Sequence, residues 1–264
     1  MDYDLGIVIP AYDPDPDRLI SYLVDLDRHI QPAQLHVELD TPSTGTMEAL
    51  SDSPASFNTA HSRRGKGAAI TAGFDYLETD ILAFVDADGS TPPESLEAVV
   101  EPIQTGDADL SVGSRRHPDA NVTRHQTRIR RRLGDGFVSV AQLVLPVHLY
   151  DYQCGAKAIT SSLWEEIREE LVSPGFAWDI EFVTIGAVLG NRLVEVPITW
   201  EDQAGTTVPV LGTTSAFVIA LLRARHRAAC LENNRCHLRL SRMCGSSGSI
   251  VSKPSYGNTD VNEQ

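Results

Sequence analysis

The sequence predicts an α/β fold: a mostly parallel sheet flanked by helices, with an amphipathic, interfacial helix towards the C-terminal end. Three observations predict it. Short apolar runs of strand length alternate with helix-length segments through the first half. The runs "LGIVIP" and "ILAFV" are apolar throughout, as strands buried on both faces must be. The segment from Ser215 to Met243 is apolar first and Arg-rich later, with no partner strand beside it.

Taken in order, "LGIVIP" from Leu5 is the first strand, and Arg18 to His29 has helical apolar spacing. "LHVEL" from Leu35 and "SFNTAH" give two more strands. "GAAITAGFDYL" follows as a helix with Ile70, Phe74 and Leu77 on one face. "ILAFV" is the fourth strand, and "PPESLEAVVEPI" opens with prolines where a helix tolerates them. "DLSVGSR" is the fifth strand. The second half is more mixed. A basic turn precedes the helix-length segment from Phe137 to Leu149, and "QCGAKAIT" reads as a short strand. "SLWEEIREEL" is a surface helix, "AWDIEFVTIGAVLG" a second helix ending at Gly190, and "RLVEVPITW" a strand. The expected division is one domain over residues 1–208, the amphipathic helix over 209–244, and a Gly/Ser/Asn-rich disordered end over 245–264.

Composition narrows the function. The 264 residues carry a net charge of −14, with three Lys among 22 basic residues. An acidic surface nearly free of Lys fits a salt-rich cytoplasm and a halophilic archaeal source. Arginine is concentrated in two short stretches, Arg63 to Lys66 and Arg115 to Arg132, which suits small phosphates rather than the broad basic face that nucleic acid requires. The four Cys form no C-x-x-C and no zinc spacing, so they are expected to be reduced and structural. Met1-Asp2-Tyr3-Asp4 lacks the basic start of a signal peptide, and no run reaches the ~18–20 apolar residues of a membrane span.

Asp86-Ala87-Asp88 is one of six Asp-x-Asp triplets, and position alone sets it apart. It follows Val85 at the carboxyl end of a buried strand, where ligands bind on sheets of this kind. Hard cations such as Mg²⁺ or Mn²⁺ take one or two carboxylates together with substrate phosphates. "HSRRGKGAAITAGF" fails the P-loop pattern because Gly67, not Ser or Thr, follows Lys66. Its glycines at a helix start still allow an anion close approach to backbone N–H groups.

The ordered motifs "VIPAY", "GKGAAITAGF", "FVDADGSTPPE", "VGSR", "DYQCGAKAI", "FAWDIEFV" and "VEVPITW" resemble the family 2 glycosyltransferases that load a sugar onto dolichyl phosphate, over Leu5 to Val208. The resemblance implies a GT-A-like (Rossmann-like) domain and an inverting hexosyltransferase that uses a nucleotide sugar, UDP-glucose or GDP-mannose. The acceptor would be dolichyl or polyprenyl phosphate, in the service of protein N-glycosylation. It implies Asp86 and Asp88 as the motif for metal (Mg²⁺ or Mn²⁺) and nucleotide diphosphate. Pro10, Ala11, Tyr12, Asp40 and the Gly65-Lys66-Gly67 turn would border the nucleotide. Arg115 and Arg130 would contact phosphates, and Asp151, Gln153 and Lys157 would line the sugar and acceptor side, with Trp178, Asp179 and Glu181 behind them. Two departures stand out. "LDTPSTGT" keeps only Asp40 of the family's paired acids, and Ser90 stands where mannosyl members carry a metal-holding Gln, which tilts the donor towards UDP-glucose.

A phosphate monoester acceptor, with its second pKa of ~6, attacks without losing a proton, so no general base is required. The alternative, a hydroxyl acceptor on a glycan or lipid-linked sugar, needs a carboxylate base, for which Asp151 or Asp179 would serve. A non-catalytic nucleotide-sugar-binding partner of a membrane complex is the reading from outside enzymology. The apolar faces beside Arg in the two late helices suit peripheral contact with the cytoplasmic face of the membrane, or else packing on protein and homo-oligomer formation.

Overall fold

Alternation of side chains along each central strand explains how the sheet is buried from both sides. In Leu5–Tyr12 (β1), Ile7 and Ile9 face one apolar cluster while Val8 faces the other. Ile81–Val85 (β4) divides in the same way, with Ile81, Ala83 and Val85 on one face and Leu82 and Phe84 on the opposite one. The computed structural model describes residues 3–123, 128–189, 192–201 and 214–232.

The remaining strands are Gln34–Asp40 (β2), Ser56–Ala60 (β3), Leu110–Ser114 (β5), Asn121–Val122 (β6), Ala156–Thr160 (β7), Leu193–Pro197 (β8) and Thr199–Trp200 (β9). The main sheet has the order β3-β2-β1-β4-β7-β5-β8, and β6 pairs with β9 in a second, two-stranded sheet. All neighbours in the main sheet are parallel except β7, which runs antiparallel to both β4 and β5. This is the expected mostly parallel α/β architecture. Strand order reverses between β1 and β4, the place where such sheets open a crevice beyond their carboxyl ends. Tyr12 ends β1, and Asp86 follows β4 directly.

Helices Pro16–Ile30 (α1) and Pro93–Gln104 (α4) cover one face. Asp15 caps α1 by accepting from the Arg18 N–H at 3.2 Å, Pro16 begins it, and Gln31 ends it in the left-handed region at φ 51°. Its buried residues Leu19, Tyr22, Leu23 and Leu26 form the i, i+3, i+4, i+7 stripe that binds it to the sheet. Lys66–Tyr76 (α3), Arg128–Val144 (α5), Ser161–Ile167 (α6), Trp178–Val188 (α7) and Thr214–Leu231 (α8) cover the other face.

Several elements, the short strand β6 among them, differ from expectation. Thr44–Leu50 (α2) is a short helix capped by Ser43, whose Oγ accepts from the Thr46 N–H at 3.1 Å; seven residues carry too little periodicity to announce it. The strand expected from "RLVEVPITW" divides into β8 and β9 at Ile198. The arginines expected to form a basic turn are the first turns of α5, while Arg124 and the 245–264 end lie outside the described residues. In α8, Ala220, Leu221, Ala224 and Ala228 are buried, so this helix packs on protein along one side. None of the described helices is long and apolar enough to cross a membrane.

Candidate active site

Four segments far apart in sequence meet beyond the ends of β1 and β4. Because β7 is antiparallel, its first residues lie beside the last residues of β4: Ala156 pairs with Val85, and Lys157 with Phe84. The preceding turn therefore closes against the Asp-x-Asp motif. The Asp86 N–H donates to the Gly155 carbonyl at 2.9 Å, and a Cβ on Gly155 would overlap the Asp86 carboxylate. A glycine is required there for the carboxylate to hold its position.

Behind Asp86 runs a row of alternating charges. Lys66 Nζ lies 2.9 Å from Asp86 Oδ1 and 3.3 Å from Asp179 Oδ2. Lys157 Nζ binds the other oxygen of Asp179 and donates to the Cys154 carbonyl at 2.7 Å. The two ammonium groups stand 5.2 and 5.3 Å from the centre of the Phe84 ring, where its π face adds attraction. Burial pulls the Lys66 ammonium towards neutrality, but the carboxylates of Asp179 and Asp86 outweigh it and hold its pKa above the usual value. Burial likewise raises Asp179, and Lys157 and Lys66 overcome this to leave it below the ordinary carboxylate range. Lys157 is fully buried, so it reaches the crevice only through Asp179.

On the other side, Arg115 at the end of β5 grips Asp151: Nε donates to Oδ2 at 2.7 Å and Nη2 to Oδ1 at 3.1 Å. Asp151 also accepts from the Gln153 N–H at 3.1 Å, and its own N–H donates to Glu195 of β8 at 2.8 Å. Burial pushes Asp151 up, and Arg115 outweighs it, so this carboxyl too sits below its usual range. Arg115 is correspondingly held protonated, since Asp151 outweighs the effect of burial. Its Nη1 carries no bond among the described residues, and its guanidinium lies 5.5 Å from the Trp200 ring. Burial pushes the Cys154 thiol up to about 12, which makes it an unreactive core residue.

The residues expected to border a nucleotide lie near one another as well. Tyr12 and Asp40 are cross-strand neighbours at the ends of β1 and β2, and Tyr12 is half exposed with the Arg63 guanidinium 4.0 Å from its ring centre. Pro10 is partly buried and Ala11 buried. Asp40 is engaged by its own chain: Oδ1 accepts from Arg64 Nε at 2.7 Å, and Oδ2 from the Arg64 and Gly65 N–H groups at 2.7 and 3.0 Å. It shapes the Gly65-Lys66-Gly67 turn.

Those glycines are explained by packing. Gly65 has φ 98° with the Pro174 carbonyl 2.6 Å from where its Cβ would be, and Gly67 faces the Trp178 side chain with no room for a methyl group. The Pro174 carbonyl accepts from the Ala68 N–H at 3.0 Å, using one of the N-terminal donors of α3 that an anion was expected to meet. Glu181, fully buried, holds this loop by accepting from Val172 N–H, Ser173 N–H and Ser173 Oγ at 3.0, 2.9 and 2.6 Å. Gly67→Ala is expected to destabilise the fold by ~1–3 kcal/mol. Urea denaturation would show this, and an unmoved midpoint would contradict the packing account.

Arg130 falls in the first turn of α5, and its side chain lies outside the described residues. One turn later, Arg116 binds Asp135, which brings the start of α5 against the end of β5.

Residues 47–168 match the Glycosyl transferase family 2 profile. The chain is also 30% identical over 209 residues to the polyprenol monophosphomannose synthase of Mycolicibacterium smegmatis, over 75% of this chain and 77% of that protein. The chain belongs to glycosyl transferase family 2. It is also 27% identical over 219 residues to glycosyltransferase AglD of Haloferax volcanii, covering 79% of this chain and 35% of that protein. Identity to the dolichyl-phosphate beta-glucosyltransferase of Dictyostelium discoideum is 26% over 168 residues, covering 62% of this chain and 51% of that protein. The chain thus spans about a third of the Haloferax relative and half of the Dictyostelium one. The fold is shared with glucosyl-3-phosphoglycerate synthase of Mycobacterium tuberculosis, solved with Mn²⁺, UDP-glucose and phosphoglyceric acid: TM-score 0.64 at 18% identity, over 84% of this chain and 79% of that one.

A divalent cation fits the donor set of this family 2 site. Asp88 is partly exposed, its Oδ1 accepts from the Ser90 N–H at 2.9 Å, and no other hydrogen bond to it occurs among the described residues. Asp86 is held by Lys66. No cluster of three or more His, Cys, Asp or Glu suited to a metal occurs among the described residues, so a cation here would need its further ligands from a bound anion and water. Ser90 is 2% exposed and serves the loop with its backbone.

Proposed function

We propose that this family 2 protein is an inverting hexosyltransferase that moves a hexose from a nucleotide sugar to a polyprenyl phosphate such as dolichyl phosphate. One observation carries the reading. Asp151 and Asp179, the two carboxylates suited to act as a base towards a hydroxyl, are both buried in ion pairs and held below their usual pKa range. A site without an available base suits an acceptor that is already an anion.

In the proposed reaction an acceptor phosphate oxygen attacks the anomeric carbon, and the bond from that carbon to the donor diphosphate breaks. The electron pair leaves on the nucleoside diphosphate, and the configuration inverts in one step. Two anions must be held in line, so positive charge is needed on both sides of the sugar. Lys66 supplies it on the donor side, anchored by Asp179. Arg115, aimed by Asp151, supplies it on the acceptor side, together with Arg130. Mg²⁺ or Mn²⁺, held by Asp88 with Asp86 beside it and by the diphosphate, would supply charge neutralisation of the leaving group.

Tyr12, with Pro10 and Ala11, forms the wall for the nucleoside, and Gln153 lies on the sugar side. UDP-glucose is the proposed donor on the single ground that Ser90 stands where mannosyl members carry Gln; the relatives include a polyprenol monophosphomannose synthase and dolichyl-phosphate beta-glucosyltransferases alike. Exposed Val140 and Leu143 of α5, with Val218, Ile219 and Leu222 of α8, support peripheral contact with the cytoplasmic membrane face, in a protein N-glycosylation route. Incubation of radiolabelled UDP-glucose or GDP-mannose with polyprenyl phosphate and Mg²⁺ or Mn²⁺ tests the reading. A charged lipid product, stable to mild base and cleaved by mild acid, is expected; transfer only to hydroxyl acceptors would overturn it.

A further inference from the structure

The loop that carries Asp86 and Asp88 has few backbone donors of its own, because Pro92 and Pro93 follow it and neither has an N–H. Its carbonyls must be met from elsewhere. The Ser90 carbonyl accepts from the Glu201 N–H, just beyond β9, at 2.9 Å. The Thr91 carbonyl accepts from the phenol of Tyr22, on α1, at 2.6 Å. Tyr22 is 69 residues away in sequence and only 6% exposed.

Three features distinguish Tyr22 from an ordinary core aromatic. A phenylalanine would fill the same space without a buried hydroxyl to satisfy. The Tyr22 ring also lies under Gly89, whose Cβ, if it had one, would meet Tyr22 ring carbons at 3.8 and 3.9 Å. Gly89 has φ 69° and turns the chain between the two aspartates and Ser90. Finally, burial raises the phenol's pKa well above its usual value, and the charges of Asp88 and Asp86 raise it further, so it remains a donor.

We infer that Tyr22 is a positioning residue for the metal site: its hydroxyl fixes the Thr91 carbonyl and so sets the angle at which the loop presents Asp88. This rests on the reading of Asp88 as the metal ligand. The inference adds a residue outside every motif of the resemblance, placed on the helix that begins four residues after the end of β1. Nucleotide side and metal side are then braced by one helix.

The test is the affinity of the full-length protein for Mn²⁺ in the presence of UDP, read by electron paramagnetic resonance of free Mn²⁺, for wild type, Tyr22→Phe and Asp88→Ala. Outer-shell partners of metal ligands are worth ~10–100-fold in affinity, and Tyr22→Phe is expected to weaken Mn²⁺ binding by about tenfold. Hydrogen exchange should quicken over residues 86–91 and stay unchanged in β1 and β4. Loss of a merely structural hydrogen bond would lower the melting temperature and leave Mn²⁺ affinity intact, and affinity within twofold of wild type would overturn the inference. Asp88→Ala separates the two levels: normal Mn²⁺ binding in that variant defeats the metal reading itself, whereas loss in Asp88→Ala with none in Tyr22→Phe defeats only the role of Tyr22.

Discussion

Asp88→Ala is expected to lower sugar transfer by at least ~10²–10³-fold, the scale on which a single group stabilising developing charge is felt. The expectation is specific to this residue. Asp88 offers a partly exposed carboxylate bound, among the described residues, by the Ser90 N–H alone, whereas Asp86 is already matched to Lys66 and walled by Gly155. Asp86→Asn should therefore be milder, since an amide oxygen still accepts from Lys66. Single-turnover transfer from labelled donor under saturating Mn²⁺ distinguishes the two. Retention of more than half the activity in Asp88→Ala would remove the residue from the chemistry.

The largest effect on stability is expected at Asp179. Its 2% exposed carboxylate separates two lysines, and Asp179→Ala leaves the fully buried Lys157 without a counter-charge while Lys66 keeps Asp86. Breaking a buried ion pair from one side costs ~3–5 kcal/mol. Replacing Asp179 by Leu and Lys157 by Met together should cost less, because the ammonium that Asp179→Ala orphans is removed with its partner. Urea unfolding of both variants measures the difference; an Asp179→Ala cost below about 1 kcal/mol would mean that water reaches the lysines. The sign with pH follows from the lowered pKa of Asp179 and Asp151 relative to their ordinary value of 3.8. Their contribution is fully present above that value and is lost as pH falls through the lower folded-state values.

Much of the fold was legible because its strands are continuous apolar runs and its helices carry clear faces. The Asp-x-Asp motif was legible from its place after "ILAFV". Other features were hidden for physical reasons. The direction of β7 leaves no mark in the short run "AKAIT", yet it brings Lys157 to Phe84. Glu181 and Asp179 read as site acids, while their partners, the Ser173 loop and the two lysines, are fixed only by tertiary packing. Tyr22 falls on the apolar stripe of α1, and nothing in its spacing separates it from the leucines beside it. The resemblance singled out Asp40, which ends β2, but its hold on Arg64 and Gly65 was not legible.

The antiparallel insertion of β7 also governs how the molecule is made. β4 and β5 precede it in the chain but are not neighbours, so a gap one strand wide must stay open until residues 156–160 arrive. Pairing across such distances is slow, because loop closure precedes any contact that rewards it. Register matters equally: a slip of one residue would turn Lys157 away from Asp179 to the opposite face of the sheet. Insertion of β7 therefore sets Lys157 in place, the charged row is completed when α7 brings Asp179, and a chain halted before β7 would have neither.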